Sequence, residues 1–260
     1  MTSRGAVACD VDGVVWLSGE PLPGAAEGIE VLRSAGFDVW FVTNSSALTH
    51  EILTRRFGEA GIESLDRFVT AADAAAGMVR ESDSVLVGGE EGVIQALRSR
   101  GCDVVPVSGA VSGSDRAWFD AVVVGIDRSF DYHSLEILSR HIRAGSRFIA
   151  TNDDPTYPSP SGLQPGGGAI VAAVAAASGR MPQIAGKPYA AMIDAVRSRL
   201  GGASPSWVIG DRGSTDGRFA VALGSRFAHV SSDVQEDPGD GATLSVANLL
   251  AAARMIVASE

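Results

Sequence analysis

Short β-branched runs alternate with longer amphipathic stretches along this chain, and that alternation restricts its fold more than any other feature. Residues 6–10, 37–43, 84–88, 120–125, 147–151 and 206–211 read as strands. Residues 24–35, 48–60, 73–81, 90–100, 132–144, 168–178, 189–200 and 215–223 carry the helical period with one apolar face. Strands separated by helices of this length need crossover connections, which give parallel sheets with helices packed over them. The chain has 260 residues, above the usual single-domain size of roughly 100 to 150, so two modest α/β domains are expected. With 45% hydrophobic and 20% charged residues, it has the apolar content of a globular protein able to close a core.

The strands ending at Asp10, Thr43 and Asp211 finish in polar residues followed by a turn. In an open α/β sheet, ligands bind at the carboxyl ends of strands near a switch in strand order, so these three endings are expected to share one crevice. Residues 152–168 are rich in Pro, Gly and Ser and lack periodicity, which predicts a long loop of the kind that serves as a lid.

Charge narrows the range of partners. The 21 basic and 31 acidic residues give a net charge of −10 without any basic cluster, which argues against a nucleic-acid partner. An anionic substrate would be repelled at long range, so its site must supply positive charge locally or through a metal. Cys9 and Cys102 are the two cysteines, and a lone pair in a chain this long reads as reduced thiols, hence a cytoplasmic protein. Residues 1–5 do not read as a secretory signal, and no run approaches the ~18 to 20 apolar residues of a membrane span. His50, His133, His141 and His229 lack zinc-ligand spacing, and serine-nucleophile motifs are absent. The turn Gly88-Gly89-Glu90-Glu91-Gly92 has Val87 before it, and its two glutamates would repel a pyrophosphate, which excludes a dinucleotide loop.

Four short motifs carry chemistry. Asp10-Val11-Asp12-Gly13 ends an apolar strand: one carboxylate can attack phosphorus and the other can protonate a leaving oxygen, while Gly13 lets backbone amides approach a phosphoryl group. A solvated turn or helix-capping acid explains the same residues equally well. Thr43-Asn44-Ser45-Ser46 offers hydroxyl and amide donors before a helix N-terminus, and is also what a plain helix cap looks like. Gly186-Lys187-Pro188 places a point charge before a helix with proline at its first position, or simply a surface lysine. Gly210-Asp211-Arg212-Gly213-Ser214-Thr215-Asp216 sets two acids five residues apart after a strand, suited to a hard cation or to a capping turn.

Taken in order, D-x-D-G, hydroxyl-Asn, Lys-Pro and G-D-x-x-x-T-D resemble the haloacid dehalogenase superfamily of phosphatases, in its NagD-like or p-nitrophenyl phosphatase-like branch. The resemblance covers nearly the whole chain, since VVVGIDRSFDYHSL and FIATNDDPTYPSPSGLQPGGGAIVAAV are similar to that branch's large cap. It implies a Rossmann-like, doubly wound parallel-sheet core over residues 1–80 and 182–260, with a second α/β cap domain inserted over 81–181. It also implies that Asp10 attacks phosphorus, that Asp12 is the general acid and base, and that Gly13, Thr43, Asn44 and Lys187 hold the phosphoryl group. Mg²⁺ would be bound by Asp10, the Asp12 backbone carbonyl and Asp211, with Asp216 supporting the metal shell or anchoring Lys187. Asn152, Asp153 and Tyr157 are candidates for leaving-group contacts from the cap, and Asp153 with Asp154 would disfavour a second anionic group on the substrate. The expected substrate is a small phosphorylated metabolite: a sugar phosphate, glycerol phosphate, phosphoglycolate, nucleotide or pyridoxal phosphate. Caps of this branch can mediate homodimers.

Competing classes are a phospho-acceptor signalling domain, a silent binder of phosphometabolites and a phosphotransferase. The cap and the second acidic motif count against the first, and the intact Asp10 and Asp12 against the second. Gly217, where an aliphatic residue is usual, and Ser231-Ser232-Asp233, where a glycine-containing turn is usual, depart from the pattern.

Overall fold

The computed structural model describes residues 4–109, 118–159, 162–231 and 241–260. Among them, six parallel strands form one sheet in the order Ala242–Val246, Arg226–Val230, Trp207–Gly210, Ala6–Cys9, Asp38–Thr43, Phe68–Thr70. The chain starts at a central strand and lays its next two strands on one side and its last three on the other. Strand order therefore reverses at Ala6–Cys9, and the three strands predicted to share a crevice are adjacent, with their carboxyl ends at the switch point.

Both faces of this sheet are covered. Helices Ala25–Ser34, His50–Glu59 and Leu249–Ala258 bury one face, where Phe41, Phe57, Phe68 and Trp16 stack ring against ring at centroid distances of 4.3 to 5.9 Å. Helices Ala71–Gly77, Ala190–Arg199 and Arg218–Leu223 bury the other. Burial on both faces explains why the strand residues are apolar without alternation.

A second, five-stranded parallel sheet has the order Gln183–Ile184, Arg147–Ala150, Ala121–Val124, Ser84–Gly88, Asp103–Pro106. Helices Tyr132–Ala144 and Gly167–Ser178 cover one face around Phe119, Ile137, Leu138 and Phe148. The other face joins an apolar cluster that runs without a break into the first sheet: Val85, Val87, Val123 and Ile149 share it with Val42, Val69 and Val208. Helix Ala71–Gly77 lies in this junction with five buried alanines, whose small side chains let helices approach closely from either side. Strand Gln183–Ile184 pairs with Arg147–Ala150 in the second sheet, so that sheet extends past residue 182, where the chain was expected to have returned to the core.

Two stretches differ from the sequence expectation. Thr156–Ser159 and Gly162–Pro165 pair as antiparallel strands where a loop was predicted; the pair stands apart from both sheets, and prolines in this stretch of sequence mask the strand signal. Trp16–Leu17 and Glu20–Pro21 form a small hairpin joined by Ser18 and Gly19, both at positive φ, the conformation that a two-residue type I′ turn requires. No helix of the described residues is long and apolar enough to cross a membrane.

Candidate active site

The site sits where the central strands end. Asp10 follows strand Ala6–Cys9 and is 8% exposed, and Lys187, from the chain returning out of the second sheet, is 3% exposed. The Lys187 Nζ donates to Asp10 Oδ1 at 2.6 Å, to Asp216 Oδ1 at 2.6 Å and to the Val42 carbonyl at 3.1 Å, so its three protons are all used. Burial pulls the ammonium towards neutrality, but the carboxylates of Asp10 and Asp216 outweigh it and hold Lys187 charged. Burial pushes Asp10 well above the usual carboxylate range; Lys187 opposes this, and Asp216 and Asp211 add to it.

Asp12 stands two residues on. Its Oδ1 accepts from Trp16 Nε1 at 3.0 Å and its Oδ2 from Thr43 Oγ1 at 3.3 Å. Burial raises its carboxyl, with the two donors acting against the rise. Between the two acids and Asp211 lies Gly13 at φ 90°, where a Cβ would meet Asp211 Oδ2 at 2.3 Å. Both the backbone sign and the space therefore require glycine here.

Asp211 follows strand Trp207–Gly210. Its carbonyl lies 3.1 Å from the buried His229 ring, whose other nitrogen reaches Ser245. Asp216 lies in a π-helical turn, Gly213–Gly217, with its Oδ2 accepting from the Arg212 amide at 3.2 Å. π-turns are uncommon and recur at functional sites; here the extra residue per turn brings Asp216 back towards the end of the strand. Gly217, a departure from the family pattern, is buried within this turn and precedes helix Arg218–Leu223. Ser231 donates its amide to Val246, and Ser232 and Asp233 lie outside the described residues.

Asp10, Asp211 and Asp216 each offer a carboxylate oxygen within 4.8 Å of one another, all buried. Three hard oxygen donors with Lys187 as the nearby cation, and burial that pushes Asp10 towards its neutral form, suit a divalent cation that would keep these carboxylates ionised.

The cavity above these groups has a volume of about 660 Å³ and is walled by both sheets. Residues Asp10, Asp12, Thr43 and Lys187 form its floor, and Asn152, Asp154, Tyr157 and Gln164 line it from the second sheet's connections. Asn152 and Tyr157 therefore both line the cavity. Asp153 does not line the cavity, and its carboxylate accepts from Tyr189 Oη at 2.5 Å. Asn44 lines the cavity, but its side chain is engaged with the backbone of Lys187 and with Asp154. The four motifs thus converge, and the site adds residues that sequence reasoning passed over. Trp16 could have been found from its place four residues after Asp12 and its Ser-Gly turn. Arg56 and Arg128, which also line the cavity, carry no local sequence signal.

Residues 7–103 match the haloacid dehalogenase-like hydrolase family and residues 184–252 match a second, HAD-hydrolase-like family. The chain is 31% identical to a dihydroxyacetone phosphatase from Corynebacterium glutamicum over 91% of its own length and 84% of that protein. It is likewise 31% identical to an acid sugar phosphatase from Staphylococcus haemolyticus, over 86% and 84% of the two chains. Among solved structures, a p-nitrophenyl phosphatase from Archaeoglobus fulgidus superimposes with a TM-score of 0.85 at 26% identity, covering 98% of this chain and all of that one. A glycerol phosphate phosphatase from Mycobacterium tuberculosis, determined in complex with magnesium, gives 0.80 at 29% identity, covering 94% and 76%.

Proposed function

Because the chain belongs to the haloacid dehalogenase-like hydrolases, as a phosphatase of their NagD-like and p-nitrophenyl phosphatase-like branch, we propose that it hydrolyses a small sugar or polyol phosphate through a phosphoryl group carried on Asp10. The observation that carries this reading is the floor of the cavity. Lys187 is bonded at once to Asp10 and Asp216, beside an Asp12 held by Trp16 and Thr43.

These contacts support the following steps. An Asp10 carboxylate oxygen forms a bond to phosphorus as the bond to the leaving-group oxygen breaks. Asp12, favoured in its neutral form by burial, gives its proton to that oxygen. Asp12 then takes a proton from water, whose oxygen attacks phosphorus and frees Asp10 together with inorganic phosphate. The Lys187 ammonium balances charge on the phosphoryl oxygens throughout, and Thr43 holds Asp12 in place for the proton transfers. Asp10, the Asp12 carbonyl and Asp211 would hold Mg²⁺, which offsets repulsion between an anionic ester and this acidic site. Asp216, the third carboxylate of the cluster, has both oxygens already bonded, so it anchors Lys187 beside the metal shell rather than binding the ion directly. In this reading the second sheet with its helices, residues 81–184, is the cap, and Tyr157 and Gln164 of its antiparallel strand pair face the leaving group.

The relatives named for dihydroxyacetone phosphate, sugar phosphates and glycerol phosphate support a neutral polyol or keto leaving group. The deciding experiment measures phosphate release from glycerol phosphate, dihydroxyacetone phosphate, hexose phosphates and phosphoglycolate, with Mg²⁺ or EDTA, for wild type and Asp10→Asn. Mg²⁺-dependent turnover of the polyol and sugar esters, lost in Asp10→Asn, is expected. Full activity of Asp10→Asn would reject the covalent step, and preference for phosphoglycolate would reject the substrate class.

A further inference from the structure

The loop that enters the cavity from the second sheet ends on one side chain of the first. Asn44 Nδ2 donates to Asp154 Oδ2 at 2.9 Å and to the Lys187 carbonyl at 3.2 Å, while Asn44 Oδ1 accepts the Lys187 amide at 2.6 Å. The amide's orientation is fixed by its partners, because only an oxygen can face the Lys187 N–H and only the NH₂ can face a carboxylate. Asn152 Nδ2 donates to the Asn44 carbonyl at 2.8 Å, and its Oδ1 accepts the Asp154 amide at 3.2 Å. The Asp154 carbonyl in turn accepts the Gly168 amide at 2.9 Å in the first turn of helix Gly167–Ser178. A continuous set of bonds thus runs from that helix through Asp154 and Asn44 to the backbone of Lys187.

We propose that Asp154 is a positioning residue that acts through Asn44, holding its amide so that Lys187 is presented to Asp10 and Asp216. The role rests on the assignment of Lys187 to the phosphate site. Of the two acceptors that keep the Asn44 NH₂ turned away from Lys187 N–H, Asp154 and the Lys187 carbonyl, Asp154 is the charged and nearer one. Without it the Asn44 NH₂ is held only by the longer bond to the Lys187 carbonyl, the 2.6 Å bond to the Lys187 amide loosens, and the ammonium loses its fixed approach. Seating the loop at residues 152–154 and setting Lys187 are then one event, so the phosphate site is complete only when this loop is in place.

The test compares Asp154→Ala, Asn44→Ala, the double variant and Asp154→Asn, each checked for folding by circular dichroism. It uses p-nitrophenyl phosphate turnover and hydrogen exchange in peptides covering residues 43–46 and 186–188. Asp154→Ala is expected to lower kcat by roughly 10- to 100-fold, the scale of a small misplacement of a reacting group, with KM nearly unchanged. Asp154→Asn keeps an acceptor oxygen and should recover most of that loss. The double variant should be no slower than Asn44→Ala alone, as expected of residues that act in series. Exchange at 186–188 should quicken in Asp154→Ala. Independent, multiplying losses in the double variant, or a rise in KM alone, would overturn the proposal by making Asp154 a direct substrate contact. Unchanged exchange at 186–188 would overturn it as well. If wild type turns over no ester, the hydrolytic reading falls, while the exchange data still decide whether Asp154 positions Lys187.

Discussion

Lys187 carries the heaviest burden of any single side chain, since it is the cation between two buried carboxylates. Lys187→Met should leave Asp10 and Asp216 facing each other without it. Breaking a buried pair from one side costs about 3 to 5 kcal/mol, so urea unfolding should shift by that order and phosphate release should cease. Gly13→Ala should be nearly as damaging to activity for a different reason: its Cβ would strike the Asp211 carboxylate, in a backbone region that alanine resists. Phosphate release is expected to fall at least tenfold, while circular dichroism stays native. The residues that do this work were legible because the chemistry lies at strand ends: Asp10, Thr43 and Asp211 each close an apolar run, and a run that stops at a polar residue announces where the sheet meets solvent. Asp216 and Lys187 were legible only as members of the set. Asp154 was legible merely as an acid near the cavity, since nothing in its local sequence shows that it faces Asn44 across 110 residues.

Helices His50–Glu59 and Ala71–Gly77 meet through one ionisable contact, His50 Nε2 with Asp73 Oδ2 at 2.9 Å. Asp73 also closes the capping box of the second helix with Thr70. The hydrogen bond to Asp73 raises the His50 imidazole above its ordinary value; burial opposes this, and the more distant Arg199 and Asp66 pull in opposite directions. A group raised on folding adds stability that is fully present below its unfolded value, near 6.5, and is lost as pH climbs through the folded value. Melting temperature should therefore decline as pH rises above about 6.5, and His50→Gln should flatten that part of the profile. At this scale, amphipathic helices were readable because their apolar face repeats over several turns, and central strands because each is a continuous apolar run. The edge strands Phe68–Thr70, Asp103–Pro106 and Ala242–Val246 interrupt or bound their apolar residues with Thr, Asp, Pro or Ser, so none presents a continuous apolar run. Helix Leu249–Ala258 was missed despite a readable signal, Asn248 accepting from the Ala251 amide as its cap.

The whole molecule works only if its two sheets meet in one register, because the cavity has walls from both. That register is set by the continuous apolar cluster around helix Ala71–Gly77 and by polar contacts at the rim, Ser46 Oγ to Thr151 Oγ1 at 3.1 Å among them. Gly92 marks the tightest point. Its amide donates to the Ala47 carbonyl at 3.0 Å, and a Cβ there would lie 2.5 Å from the Leu48 carbonyl oxygen and 2.6 Å from that of Ser46. Both obstacles are backbone, so no side chain can rotate away. Gly92→Ala must therefore push helix Glu91–Ser99 and the segment after Thr43 apart, and Ser46 and Leu48 themselves line the cavity. Overpacking of this kind costs about 1 to 3 kcal/mol, but the larger effect should fall on turnover, because Asn44 and Thr43 sit next to the displaced strip. Gly58→Ala is the control: it lies in helix His50–Glu59 with nothing within 4 Å of the added Cβ, and alanine should stabilise that helix by up to about 1 kcal/mol. If Gly92→Ala and Gly58→Ala turned over substrate equally well, the fit between the two sheets would not govern the site. A selective loss in Gly92→Ala, with folding retained, would mean that catalysis depends on how closely the second sheet is seated over Asp10.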